Sequence, residues 1–174
     1  MRRDSGFTLI EVIAVLVLVS LLALIAGMGI VRGVEGYFFA RENLELSQKA
    51  QLSLARMRLE MVEIRTVHSA ATDSIEFSTP SGPRTIGLDT DLIRLADGTT
   101  ALADGDVLID GVTNLTFTYR DSAGALWTTA DNIRDLSEIR IDLILNHSVG
   151  DTSTISFFTT VNPRNNGKSN GPVG

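Results

Sequence analysis

A chain of 174 residues has room for one domain of ordinary size plus an appendage, and not for two independent cores. It contains no cysteine, which excludes disulfides and thiolate metal sites, so any folded part must stand on its core alone. The formal net charge of -6 argues against broad affinity for nucleic acid.

The first element is a segment of membrane length. Val12 to Val31 is a run of 20 residues without a formal charge, and as a helix it spans roughly 30 Å, the hydrocarbon thickness of a bilayer. Arg2 and Arg3 precede it, while Arg32, Glu35, Arg41 and Glu42 follow it. The positive-inside tendency therefore predicts a single pass with a cytoplasmic N-terminus and an exported remainder. One acid, Glu11, stands where the run begins, although an ionised side chain costs about 2.5 to 3.5 kcal/mol at the centre of an inserted helix.

Three readings of this segment compete. A secretory signal would have a shorter apolar region followed by small residues at a cut, which "ALIAG" at Ala23 to Gly27 mimics, but the run is too long and Glu11 sits inside it. An ordinary anchor explains the length and leaves Glu11 without a purpose. The third reading starts from "GFTLIEV", Gly6 to Val12, which resembles the cleavage and methylation site of type IV prepilins and pseudopilins. The shared pattern is a short basic leader ending in glycine, then phenylalanine, three residues, and glutamate at the fifth position of the mature chain.

That resemblance implies a prepilin peptidase cutting between Gly6 and Phe7, N-methylation of Phe7, and an assembly salt bridge from Glu11 to a terminal amine, its own or a neighbour's. The residue types suit these roles. Glycine offers a peptidase an unhindered, extended backbone. The amine freed at Phe7 lies about one helical turn from the Glu11 carboxylate, and opposite charges attract strongly in apolar surroundings when well placed.

A stem helix follows. No proline occurs before Pro80, so a helix of about 60 residues, near 90 Å, is possible. Gly27, Gly29, Gly33 and Gly36 cluster where the membrane segment ends. They predict either local bending, since an interior glycine costs about 1 kcal/mol of helix relative to alanine, or close packing of helices through small residues. Further on, Leu46, Ala50, Leu54, Met57, Met61 and Ile64 recur at spacings of four and three, one stripe of an amphipathic helix. Leu52, Ala55, Leu59 and Val62 are expected to widen that stripe under a covering sheet. Glu45 and Lys49 form an i, i+4 pair, and Arg56, Arg58, Glu60, Glu63 and Arg65 fill the gaps. Met57 and Met61 suit core packing better than a sulfur-rich binding surface.

Beyond Thr66 the period becomes that of strands. "SIEFS", "RTIGLD", "DLIRLAD", "VLIDGVTNLTFTYRD", "GALWTT", "EIRIDLILN" and "STISFFTTV" are short, β-branched and aromatic, and separated by glycine-rich turns. Leu115, Phe117 and Tyr119 alternate onto one face, as do Ile139, Ile141, Leu143 and Leu145. One antiparallel sheet with a wet face and a helix-covered face is expected. The fold class is thus α+β, a long N-terminal helix packed on an antiparallel sheet. It divides into a leader at 1–6, a transmembrane helix at 7–31, an amphipathic stem at 32–70, a periplasmic β-rich domain at 71–162 and a disordered tail at 163–174.

Across the exported part, "RMRLEMVEIR", "LIRL", "VTNLTFTYRDSAGALW", "EIRIDLIL" and "TTVNPRN" resemble the J-type minor pseudopilin of type II secretion and the W-type minor pilin of type IV pili. The length and Glu11 both argue against the large K-type subunit. The resemblance implies a subunit of a periplasmic pseudopilus or pilus, at its tip or in its initiation. Its partners would be the prepilin peptidase, other pilins or pseudopilins and an inner-membrane assembly platform, with no nucleic acid and no cofactor. The rival reading is a membrane-anchored periplasmic binding domain that never polymerises.

Two chemical readings are weaker. The segment "DGTTALADGDVLIDG" offers Asp97, Asp104, Asp106 and Asp110 as calcium ligands, but the spacing matches no known loop, and Asp-Gly pairs are what turns use. General bases are limited to His68, placed at the end of the stem, and His147, with Ser148 and Asp151 too close in sequence to converge into a triad. No enzyme is expected.

Overall fold

The computed structural model describes residues 8–146 and 154–164. Gly6, Phe7, His147, Ser148, Asp151 and the tail from 165 onward therefore lie outside the described residues. The chain divides into two units, 1–42 and 43–174.

The first unit holds most of a single helix, α1, which runs from Leu9 to Met61 without interruption. Its apolar side chains from Leu9 to Val34 are exposed. The Ser20 hydroxyl donates to the Leu16 carbonyl at 2.8 Å, so the one polar side chain of the uncharged run is satisfied within its own helix, as a lipid environment demands.

In the second unit the last turns of α1 join eight strands in two antiparallel sheets. The first sheet has the order β1 (Thr66–Ala70), β2 (Ser74–Thr79), β3 (Gly82–Asp89), β4 (Leu92–Asp97) and β5 (Asp106–Ile109). The second consists of β6 (Val112–Asp121), β7 (Leu136–Asn146) and β8 (Thr154–Val161). Ala50, Leu54, Met57 and Met61 of α1 pack into one core with Ile75, Phe77, Ile86 and Ile93 of the first sheet. Leu115, Phe117, Ile139, Ile141, Leu143 and Leu145 close the core from the second sheet.

The α+β class, the alternation in β6 and β7 and the stripe of α1 agree with expectation, and Met57 and Met61 are fully buried. Five features differ. The stem expected to reach residue 70 ends at Met61. Arg65 N–H donates to the Ser78 carbonyl at 2.8 Å, and the β-branched pair Thr66 and Val67 then joins the ladder against β2 as an edge strand. His68 is accordingly a strand residue, with Nε2 2.7 Å from the Ser78 hydroxyl.

The strands form two sheets rather than one. The "VLIDGVTNLTFTYRD" run is cut at Asp110-Gly111, where Gly111 at φ 73° turns the chain out of the first sheet. Beyond that turn, β6 is held by Val112 N–H to the Asp91 carbonyl and Phe117 N–H to the Thr72 carbonyl, at 2.9 and 2.7 Å. This Asp-Gly is a corner between sheets, not a hairpin turn.

"GALWTT" forms no strand. It contributes one bridge, Arg120 to Leu126, because Trp127 is committed to the core and donates through Nε1 to the Asn132 carbonyl at 2.9 Å. The tail begins in order, with Pro163 buried and Arg164 N–H donating to the Val62 carbonyl at 2.9 Å. Finally, Leu52 and Leu59 do not widen the core stripe; they are 75% and 67% exposed.

Candidate processing and assembly site

The N-terminus of α1 is built by a local device additional to the residues of the cleavage pattern. Thr8 precedes the first helical residue, and its Oγ1 accepts from Glu11 N–H at 3.4 Å, while its carbonyl accepts from the same N–H at 3.1 Å and from Val12 N–H at 3.3 Å. Thr8 and Glu11 thus occupy the first and last positions of the capping-box pattern Thr-x-x-Glu, the sequence signal by which Thr8 could be found. A carboxylate in the first turn also faces the positive end of the helix dipole. Glu11 is exposed there and is in no ion pair among the described residues, which leaves it able to meet a cation from outside the described chain.

The glycine cluster sits inside unbroken helix. A Cβ built at Gly27, Gly29, Gly33 or Gly36 would meet nothing within 4 Å beyond the helix's own neighbouring backbone, so no packing contact among the described residues requires glycine there. Just beyond, Tyr37 and Phe38 are exposed and stand edge to face at 5.9 Å between ring centroids.

The four aspartates of the calcium reading are not brought together. Asp97 ends β4 and lies 3.5 Å from Arg84 Nε. Asp104 closes the 3-10 turn Leu102–Asp104, Asp106 opens β5, and Asp110 meets Lys49 Nζ at 3.2 Å. No group of three or more His, Cys, Asp or Glu among the described residues could hold a metal ion. Gly105, in the same loop, is required by packing, since a Cβ there would come within 2.6 Å of the Leu95 carbonyl oxygen.

Charged side chains instead fasten α1 to the first sheet. Glu60, only 12% exposed, accepts from Arg84 Nη1 of β3 and from Arg56 Nη2 at 2.7 Å. Lys49 bridges Asp110 at 3.2 Å and Glu45 at 3.9 Å. The expected Glu45–Lys49 pair is therefore present, as one arm of a link to the sheet.

Within this geometry the decisive feature is the helix start with its one carboxylate. Residues 1–27 match the prokaryotic N-terminal methylation motif. That motif indicates a pilin-like protein processed by prepilin peptidase, with pilin-type partners. It covers the helix start and most of the apolar segment, and does not extend to the β-rich unit. Comparisons with curated proteins and with solved structures find no significant match. Of the described helices, α1 alone is long and apolar enough to cross a membrane, and it fits a membrane-anchored pilin.

Proposed function

We propose that this chain is a minor pseudopilin or minor pilin of a type II secretion or type IV pilus system. It is held in the inner membrane with its N-terminus cytoplasmic, cut between Gly6 and Phe7, methylated at Phe7, and then incorporated into a periplasmic fibre at its tip or in its initiation. The observation that carries the reading is Glu11, a lone carboxylate in the first turn of an exposed apolar helix, inside a stretch that matches the methylation motif.

The chemistry is electrostatic, not catalytic. Before the cut Glu11 has no cation paired with it among the described residues and is costly to bury. The cut creates an amine, and a subunit whose amine meets the Glu11 of a neighbour gains neutralisation together with an axial register. Mass spectrometry of the protein purified from membranes tests this: a chain beginning at N-methylated Phe7 is expected. A chain retaining Met1, or one cut near Ala26, overturns the reading.

A further inference from the structure

The edge of a sheet is a row of unpaired backbone donors and acceptors, and proteins blunt such edges with short strands, bulges, charges or proline. Of the four edges of the two sheets, three are blunted. β1 has five residues and a register shift between Val67 and Ser69. β5 has four residues, opens on Asp106 and pairs irregularly with β4. β6 gives the N–H groups of Val112 and Phe117 to the carbonyls of Asp91 and Thr72. β8 has none of these devices. Its eight residues, Thr154–Val161, include neither proline nor a charge, and they pair with β7 without a register shift. Among the described residues the outward backbone groups of β8 have no backbone partner.

Beside β8 lies a groove of about 550 Å³, lined by Ala55 and Leu59 of α1, Val62 of the turn that follows, and Phe158 of β8. Phe158 is 65% exposed. Arg58 and Arg164 also line the groove, and among the described residues no carboxylate does. Both arginines are exposed, and neither is in an ion pair among the described residues. Two guanidinium groups beside an apolar surface suit a ligand that is apolar in body and carries carboxylates, since arginine holds a carboxylate through two parallel hydrogen bonds. The segment that follows Arg164 does not supply that charge, because residues 165–174 carry Lys168 and no acidic side chain.

We propose that β8 and this groove receive an extended, acidic segment of another polypeptide, added to the second sheet as a further strand. Its backbone pairs with the open edge of β8, its alternate apolar side chains lie on Ala55, Leu59 and Val62, and its carboxylates meet Arg58 and Arg164. An anionic lipid would answer the charge and leave the row of backbone groups unpaired, which is why the edge selects a peptide. The site lies beyond the fibre reading and depends on neither peptidase cleavage nor assembly.

The test uses the full chain in nanodiscs of zwitterionic lipid and labelled synthetic peptides as long as β8, in which valine alternates with glutamate or with lysine. The glutamate peptide is expected to bind about tenfold more tightly than the lysine peptide and to slow amide hydrogen exchange in β8. Arg58→Glu combined with Arg164→Glu, both at exposed side chains, is expected to reverse that preference. Successive N–H groups of a strand point to opposite edges, so N-methylation of one alternate set in the glutamate peptide should abolish binding and N-methylation of the other set should not. Equal binding of the two peptides, an unchanged preference in the double variant, equal effects of the two N-methylated sets, or displacement of the peptide by phosphatidylglycerol vesicles overturns the proposal. Exchange in β8 that slows with protein concentration in the absence of peptide overturns it as well, since a second copy of the chain would then occupy the edge.

Discussion

Glu60 of α1 and Arg84 of β3 form an ion pair in which both side chains are largely shielded, 12% and 19% exposed, and Arg56 completes the set from one helical turn earlier. Because Arg84 also approaches Asp97 at 3.5 Å, this pair links the helix to two adjacent strands. Removing Glu60 leaves Arg84 poorly solvated, with only the longer contact to the exposed Asp97 carboxylate. Glu60→Ala is therefore expected to cost about 2 kcal/mol of unfolding free energy, whereas Glu45→Ala, whose pair is exposed, should cost under about 0.5 kcal/mol. Denaturant unfolding of the two variants in the same detergent measures the difference, and equal midpoints would refute the clamp.

Gly105 is expected to tolerate no side chain. Its Cβ would press on the backbone of β4 at Leu95, and overpacking against backbone costs about 1 to 3 kcal/mol. Gly105→Ala should lower the thermal midpoint, while Gly124→Ala, at φ 83° with open space around it, tests backbone strain alone. Comparing the two separates contact from conformation.

Tyr119 confers an alkaline sensitivity. It is 6% exposed and donates its hydroxyl to the Ala71 carbonyl at 3.2 Å. Burial, with a smaller contribution from the charge of Asp73, raises its pKa well above the ordinary tyrosine value of 10.0. Between that ordinary value and the raised one, the unfolded chain has released the proton that the folded chain retains, so stability falls as pH rises. The limiting slope is about 1.4 kcal/mol per pH unit for one group. Tyr119→Phe is expected to be about 1 kcal/mol less stable at about pH 8, through the lost hydrogen bond, and to show a shallower loss above about pH 10. Parallel curves for the two proteins would contradict this.

Glu11→Ala and Glu11→Leu are expected to leave cleavage between Gly6 and Phe7 largely intact and to weaken incorporation into the fibre. The capping contact does not depend on the side chain of Glu11, since Thr8 accepts from its backbone N–H, so the helix start should survive either change. Comparing processed protein in membranes with protein in sheared fibres reads the two steps separately. Normal incorporation of Glu11→Leu would remove the assembly role.

Much of this is legible in the chain. The stripe from Leu46 to Ile64 and the alternation of Leu115, Phe117 and Tyr119 forecast which side chains are buried, because local periodicity records the facing of an element. The same periodicity is silent about how many elements share the covering layer. Leu52 and Leu59 have the apolar, helical spacing of residues under a sheet, yet the sheet reaches only the opposite face of α1 and leaves both exposed.

By itself, then, the sequence determined the membrane-length helix, the lone carboxylate at its start and the α+β class, all of which follow from composition and short-range spacing. Only the tertiary structure decided the split into two sheets at Gly111, the end of the helix at Met61, the strand character of His68 and the partner of Glu60. Each of these depends on hydrogen bonds or ion pairs between residues distant in the chain, as Phe117 to Thr72 and Arg65 to Ser78 illustrate. Such pairings are selected by the packing of the whole core, and no local pattern encodes them.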